Sequence, residues 1–246
     1  MAFGLPDSIS ACLFDLDGVL TRTATVHAAA WKQMFDEFLR AHAESTGAPY
    51  VPFDAHEDYD RYVDGKPRLD GTRDFLRSRG INLPEGKDDD PPGAPTIRGL
   101  SNRKNDLVVE KIRTDGVQTY DGSVDYVRRV RAAGLKTAVV SSSANTKDVL
   151  ACTNMTDLFD TVVDGVVARE RQLPGKPAPD TFLEGARELG ADAAHSAVFE
   201  DAQAGVAAGR AGRFGFVVGV DRVGQADALR RGGADVVVAD LSELLS

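Results

Sequence analysis

The chain has 246 residues, 42% of them hydrophobic, and a formal net charge of −9. That composition can fill a buried core and argues against disorder, while the acidic balance offers neither nucleic acid nor an anionic membrane a basic face. The two cysteines, Cys12 and Cys152, make no disulfide framework, and no apolar run approaches the roughly 18 residues of a membrane span. The opening MAFGLPDSIS also lacks a secretory pattern. A cytoplasmic protein that uses neither nucleic acid nor a membrane is the expectation.

In chain order, ACLFDLD (residues 11–17) reads as a first strand with continuous apolar character. From residue 24 to about 112 the texture changes. HAAAWKQMFDEFLRAHAE, LDGTRDFLRSRG and SNRKNDLVVEKIRTDG have helical spacing and few valine-rich runs. Between the last two lies EGKDDDPPGAP, a polar Pro/Gly stretch whose aspartates read as a solvated loop more readily than as a metal site. From residue 116 strands and helices alternate, with β-branched runs in KTAVVS, DTVVDG, SAVFED, FGFVVGV and DVVVAD. Continuous rather than alternating apolar runs indicate strands covered on both faces, hence a parallel sheet between helices. The fold predicted is α/β, with a helical domain inserted after the first strand.

Chemistry gathers at strand ends. Asp15 and Asp17 leave the first strand on the same side, where they either cap the following turn or repel unless a cation sits between them. Gly18 behind them permits a sharp turn. Glu200 and Asp201 repeat the arrangement after SAVF, and ligands of open parallel sheets sit outside the carboxyl ends of the strands. Several oxygen donors with no histidine or cysteine beside them suit a hard cation, Mg²⁺ first. Ser141 ends KTAVVS, and Lys176 lies between Gly and Pro in LPGKPAPD.

DLDGVLT, SSS, GKPAPD and EDAQAG, in that order, resemble the haloacid dehalogenase superfamily of phosphoryl-transfer enzymes, and DGVLTRTATVHAAAW is similar to its β-phosphoglucomutase-like subfamily. The resemblance implies a Rossmann-like parallel-sheet core of residues 1–23 and 113–246, flanked by helices, with a helical cap domain at 24–112. It implies that Asp15 is the nucleophile that becomes an aspartyl phosphate. Mg²⁺ would be held by Asp15, the Asp17 carbonyl, Glu200 and Asp201. Ser141 would donate a hydrogen bond to the phosphoryl oxygens, Lys176 would supply a fixed positive charge, and Asp17 would protonate the leaving oxygen and deprotonate the attacking hydroxyl.

Thr23, His27 and Trp31 share one helical face by their spacing. Pattern alone favours a helix that buries Trp31 with His27 at its edge. The subfamily resemblance instead places all three in the cleft between cap and core, with the histidine tied to the acid–base aspartate. Gly65 and Arg68 in DGKPRLDG are either a connection or, by resemblance, the grip on a second phosphate, a task suited to a planar guanidinium. Lys104 matches a cap residue that reaches the substrate, and Ser142, Ser143 and Asn145 match the core loop near the phosphates. Asp64, Gly71 and Ala144 depart from the subfamily pattern at positions bordering the sugar.

The implied activity is a monomeric isomerase acting on a small sugar phosphate. It would interconvert β-D-glucose 1-phosphate and glucose 6-phosphate through glucose 1,6-bisphosphate. A sugar-phosphate phosphatase is the alternative enzyme. A non-enzymatic phospho-receiver module fits less well, because it needs no domain of some ninety residues beside its aspartate. A nucleotide binder is weaker still, since neither G-x-G-x-x-G nor G-x-x-x-x-G-K-[ST] occurs.

Overall fold

The apolar runs lie side by side in a single sheet. The computed structural model describes residues 2–245. Strands β1 (Ala11–Phe14), β2 (Lys136–Val140), β3 (Thr161–Val163), β4 (Ser196–Glu200), β5 (Phe216–Val220) and β6 (Val236–Val238) form a six-stranded sheet in the order β3-β2-β1-β4-β5-β6. Every pairing is parallel. Helices α1 (Ala24–Thr46), α2 (Arg68–Ser78) and α3 (Ile97–Asp115) fall between β1 and β2 in sequence, followed after α3 by α4 (Asp121–Ala132). Then come α5 (Thr146–Cys152), α6 (Gly165–Glu170), α7 (Asp180–Leu189), α8 (Gln203–Ala211) and α9 (Ala226–Gly232).

Both sheet faces are covered, as continuous apolar strands require. Ala11 and Leu13 of β1 join Ala138, Val140 and Val198 in a cluster with Phe182 and Ala186 of α7 and Val206 of α8. On the opposite face the Phe14 ring stacks on Phe199 at 4.4 Å and meets Tyr126 of α4 edge-on at 6.3 Å. β1 stands in the middle, paired with β2 on one side and β4 on the other. The strand order therefore reverses beside β1, and the crevice outside the carboxyl ends of β1 and β4 is where such a sheet takes its ligands.

The chain divides into an α/β unit, Met1–Arg22 with Val117–Ser246, and a helical unit, Thr23–Gly116. The second boundary lies past residue 112 because α3 runs on to Asp115, where Gly116 donates its N–H to the Ile112 carbonyl. The helical unit has its own aromatic core. Phe35 stacks on Trp31 at 5.2 Å and on Phe53 at 5.1 Å, and lies 4.2 Å from Phe75. α3 begins at Ile97, earlier than its polar stretch suggests, because the Thr96 hydroxyl caps it by accepting from the Gly99 N–H at 2.9 Å. A short π-helix at Tyr59–Val63 has no counterpart in the sequence pattern.

The aspartate-rich loop is tied down locally. Asp88 pairs with Arg98, and Asp90 accepts from the Thr96 hydroxyl and the Lys87 N–H. Among the described residues, no helix is long and apolar enough to cross a membrane.

Candidate active site

Asp15 follows β1 directly, and its N–H extends the ladder to the Phe199 carbonyl of β4 at 2.9 Å. Glu200 ends β4, Asp201 follows it, and Ser141 follows β2 with its N–H on the Val163 carbonyl at 3.0 Å. Parallel register thus delivers four polar side chains to one end of the sheet. Oxygens of Asp15, Glu200 and Asp201 lie within 4.8 Å of one another, and all three residues are buried.

Lys176 crosslinks this cluster from a loop between α6 and α7. Its Nζ donates to Asp15 Oδ1 at 2.5 Å, to Glu200 Oε1 at 2.7 Å and to the Val140 carbonyl at 3.0 Å, so its three donors have three acceptors. Burial alone would pull the ammonium pKa down, but Asp15 and Glu200 outweigh that and hold it above the ordinary lysine value. Burial pushes the Asp15 carboxyl up to about 6, against the pull of Lys176, with Asp17 adding a further upward push. It pushes Glu200 up to about 7, again against Lys176. One lysine does not offset three carboxylates in a dry site. An all-oxygen donor set with surplus negative charge is what a hard divalent cation needs, so the residues fit one.

Two glycines make the crowding possible. Gly18 has φ +92, and a Cβ there would lie 1.7 Å from Asp201 Oδ2. Gly205, in the first turn of α8, would place a Cβ 1.7 Å from Glu200 Oε1. Gly205 was not among the expected site residues, although it closes the EDAQAG stretch that drew attention to Glu200.

The remaining core residues lie on the loops that follow β1 and β2. Asp17 is half-buried, and its backbone N–H donates to the Asp15 carboxylate. The loop after β2 is self-bonded. Ser141 Oγ accepts from the Ser143 N–H at 3.1 Å, which leaves the Ser141 hydroxyl hydrogen to donate elsewhere. Ser143 Oγ accepts from the Asn145 N–H at 3.2 Å, and Asn145 heads α5. Ser142 is half-buried in the same turn, whose backbone Gly165 would strike with any Cβ.

In the helical unit Lys104, buried on α3, sets its Nζ 2.9 Å from His27 Nδ1 and 4.9 Å from the centre of the Trp31 ring. An ammonium only donates, so Nδ1 accepts and the His27 proton sits on Nε2. Burial first, and then the Lys104 charge, hold His27 well below its ordinary pKa. Trp31 itself lies in the aromatic core. Thr23 is buried at the head of α1, and its carbonyl takes the His27 N–H at 2.9 Å, so the one-face spacing holds. Arg68 opens α2 and donates to Asn105 Oδ1 at 2.7 Å, and Gly65, with φ +69, precedes it in the Asp64–Pro67 turn.

A family model for haloacid dehalogenase-like hydrolases matches residues 9–213. The chain belongs to that family. This haloacid dehalogenase-like enzyme is 58% identical to β-phosphoglucomutases of Mycobacterium bovis and Mycobacterium tuberculosis, over 98% of its own length and 94% of theirs. It is also similar in structure to a β-phosphoglucomutase from Clostridium difficile, with a TM-score of 0.72 and 25% identity over 96% of this chain and 93% of that one.

Proposed function

We propose that the protein is a Mg²⁺-dependent phosphomutase that interconverts β-D-glucose 1-phosphate and glucose 6-phosphate through glucose 1,6-bisphosphate. The observation that carries the phosphoryl-transfer chemistry is the buried triad of Asp15, Glu200 and Asp201 crosslinked by Lys176. Identity of 58% to curated β-phosphoglucomutases over nearly the whole chain favours a mutase of this sugar.

In this reading one Asp15 oxygen attacks phosphorus and the P–O bond to the sugar breaks, leaving an aspartyl phosphate. Asp17 gives its proton to the departing sugar oxygen. The 6-hydroxyl of β-D-glucose 1-phosphate then gives its proton to Asp17, attacks the phosphoryl group and frees Asp15, and the glucose 1,6-bisphosphate so formed turns around to present its other phosphate to Asp15. The Ser141 hydroxyl holds a phosphoryl oxygen through both halves, and Lys176 supplies a fixed positive charge beside the nucleophile. Asp15, Glu200, Asp201 and the Asp17 carbonyl would hold Mg²⁺, which when bound neutralises charge between nucleophile and phosphate. Ser142, Ser143 and Asn145 are assigned to the phosphate loop. Thr23, His27, Trp31, Gly65, Arg68 and Lys104 are assigned to the sugar and its non-reacting phosphate.

The second reading, a sugar-phosphate phosphatase, is favoured by the hydrolase family match and shares every step until water takes the phosphoryl group. Incubation with β-D-glucose 1-phosphate, Mg²⁺ and a trace of glucose 1,6-bisphosphate, followed by phosphorus NMR, separates the two. Glucose 6-phosphate should accumulate, with Asp15→Asn as the inactive control. Inorganic phosphate without glucose 6-phosphate would overturn the mutase.

A further inference from the structure

The turn that carries Asp17 is held from two sides. On the inside, the Leu16 carbonyl accepts from the N–H groups of Leu20 and Thr21, both at 3.0 Å, and from the Thr21 hydroxyl at 3.1 Å. The Gly18 N–H closes the turn on the Thr21 carbonyl at 2.8 Å. The outward carbonyls of Gly18 and Val19 go to one side chain, Arg222, which lies 204 residues away between β5 and α9.

Arg222 spends every donor it has. Nε donates to the Gly18 carbonyl at 2.9 Å. Nη2 donates to the Val19 carbonyl at 3.3 Å and to Ser123 Oγ at 3.1 Å, and Nη1 to the Ala239 carbonyl at 2.6 Å and Asp240 Oδ2 at 3.1 Å. Its guanidinium carbon sits over the Tyr120 ring, 3.6 Å from the ring centre. A planar fork with five donors and a stacking face can do this, and an ammonium cannot. The loop bearing Arg222 is itself pinned. The Asp221 carboxylate accepts from the N–H groups of Val223, Gly224, Gln225 and Ala226. Gln225 from the same loop donates to the Asp201 carbonyl at 3.0 Å.

We propose that Arg222 is a positioning residue for the acid–base Asp17. It fixes the Gly18–Val19 peptide from behind, and with it the angle at which Asp17 meets the departing oxygen. The proposal rests on the reading of Asp17 as the group that protonates that oxygen. Misplacing such a group by about 1 Å costs roughly a hundredfold in rate.

The test uses two esters that differ in their need for that proton. p-Nitrophenolate departs unprotonated, whereas a sugar alkoxide does not. Arg222→Lys should lower consumption of a sugar phosphate by about a hundredfold and of p-nitrophenyl phosphate by less than about threefold. Asp17→Ala should show the same selectivity, and methylguanidinium added to Arg222→Ala should restore the sugar-ester rate in preference to the aryl one. Melting followed by circular dichroism reports the folded fraction. Equal losses on both esters in Arg222→Lys, or loss of the folded state in both Arg222 variants, would make Arg222 a purely structural residue and overturn the proposal. Selectivity in neither Asp17→Ala nor Arg222→Lys would remove Asp17 from its role as well. The wild-type product, glucose 6-phosphate or inorganic phosphate, bears separately on the mutase.

Discussion

The two units bury charge by opposite means. In the α/β unit three carboxylates crowd one end of the sheet, and Lys176 links two of them within 2.7 Å. In the helical unit a buried cation, Lys104, rests against a neutral imidazole and the face of an indole. The first arrangement has surplus negative charge and suits a site that receives a cation and an anion together. The second keeps a positive charge close to groups that can donate or accept without being charged themselves, which suits an uncharged hydroxyl-rich ligand or a distant anion. The supports differ too: the α/β cluster is held by the ladder, by Lys176 and by glycines whose added Cβ would collide, whereas His27 and Lys104 stand on the helices α1 and α3.

That contrast is breakable, beginning with its largest expected effect. Asp17→Ala should cut turnover of sugar phosphate by roughly 10²- to 10⁴-fold while calorimetry still registers Mg²⁺ binding; near-normal turnover would detach proton transfer from the α/β unit. Next, Gly205→Ala pushes a methyl into the Glu200 carboxylate. It should cost about 1–3 kcal/mol of stability in urea denaturation, and an unchanged midpoint would mean Glu200 moves aside easily.

Arg68→Ala sharpens the division of labour between the units. It should slow mutase flux by about tenfold, as expected for loss of one charge-assisted hydrogen bond near 1.4 kcal/mol, and leave hydrolysis of p-nitrophenyl phosphate nearly intact. Equal losses would make Arg68 a structural partner of Asn105 only. The smallest effect concerns His27. Its folded pKa lies below the unfolded value near 6.5, so the unfolded chain binds the extra proton and stability falls as pH drops below about 6.5. Between pH 7.5 and 5.5 the wild type should lose up to about 1 kcal/mol more than His27→Gln. Parallel curves for the two proteins would show that His27 is not held neutral.

Legibility in the sequence followed the range of the forces involved. The six strands can be read because burial on both faces writes itself as uninterrupted valine and alanine. The acidic pairs can be read because charge at the end of such a run is conspicuous. Lys176 is readable only through its motif, since nothing local reports the three acceptors it meets. Trp31 and His27 share a helical face, yet pattern alone cannot say that the indole joins the Phe35 stack while the imidazole meets Lys104. Gly205 stands in plain view but becomes meaningful only once Glu200 folds back over the first turn of α8. Arg222 leaves no trace at all, because its partners Gly18 and Val19 lie some two hundred residues upstream. The aspartate-rich loop reads as solvated and is largely exposed, Asp88 included, while Arg98 and Thr96 bind Asp88 and Asp90.

The central place of β1 also has a consequence for how the molecule is made. Its four residues leave the ribosome before the other five strands of this sheet, and its neighbours β2 and β4 begin only at residues 136 and 196. Throughout that interval a wholly apolar segment waits with two open edges, a ready target for mispairing. The helical unit, which has a core of its own, is synthesised in the meantime, while Asp15 still lacks the neighbours that β2 and β4 bring to it.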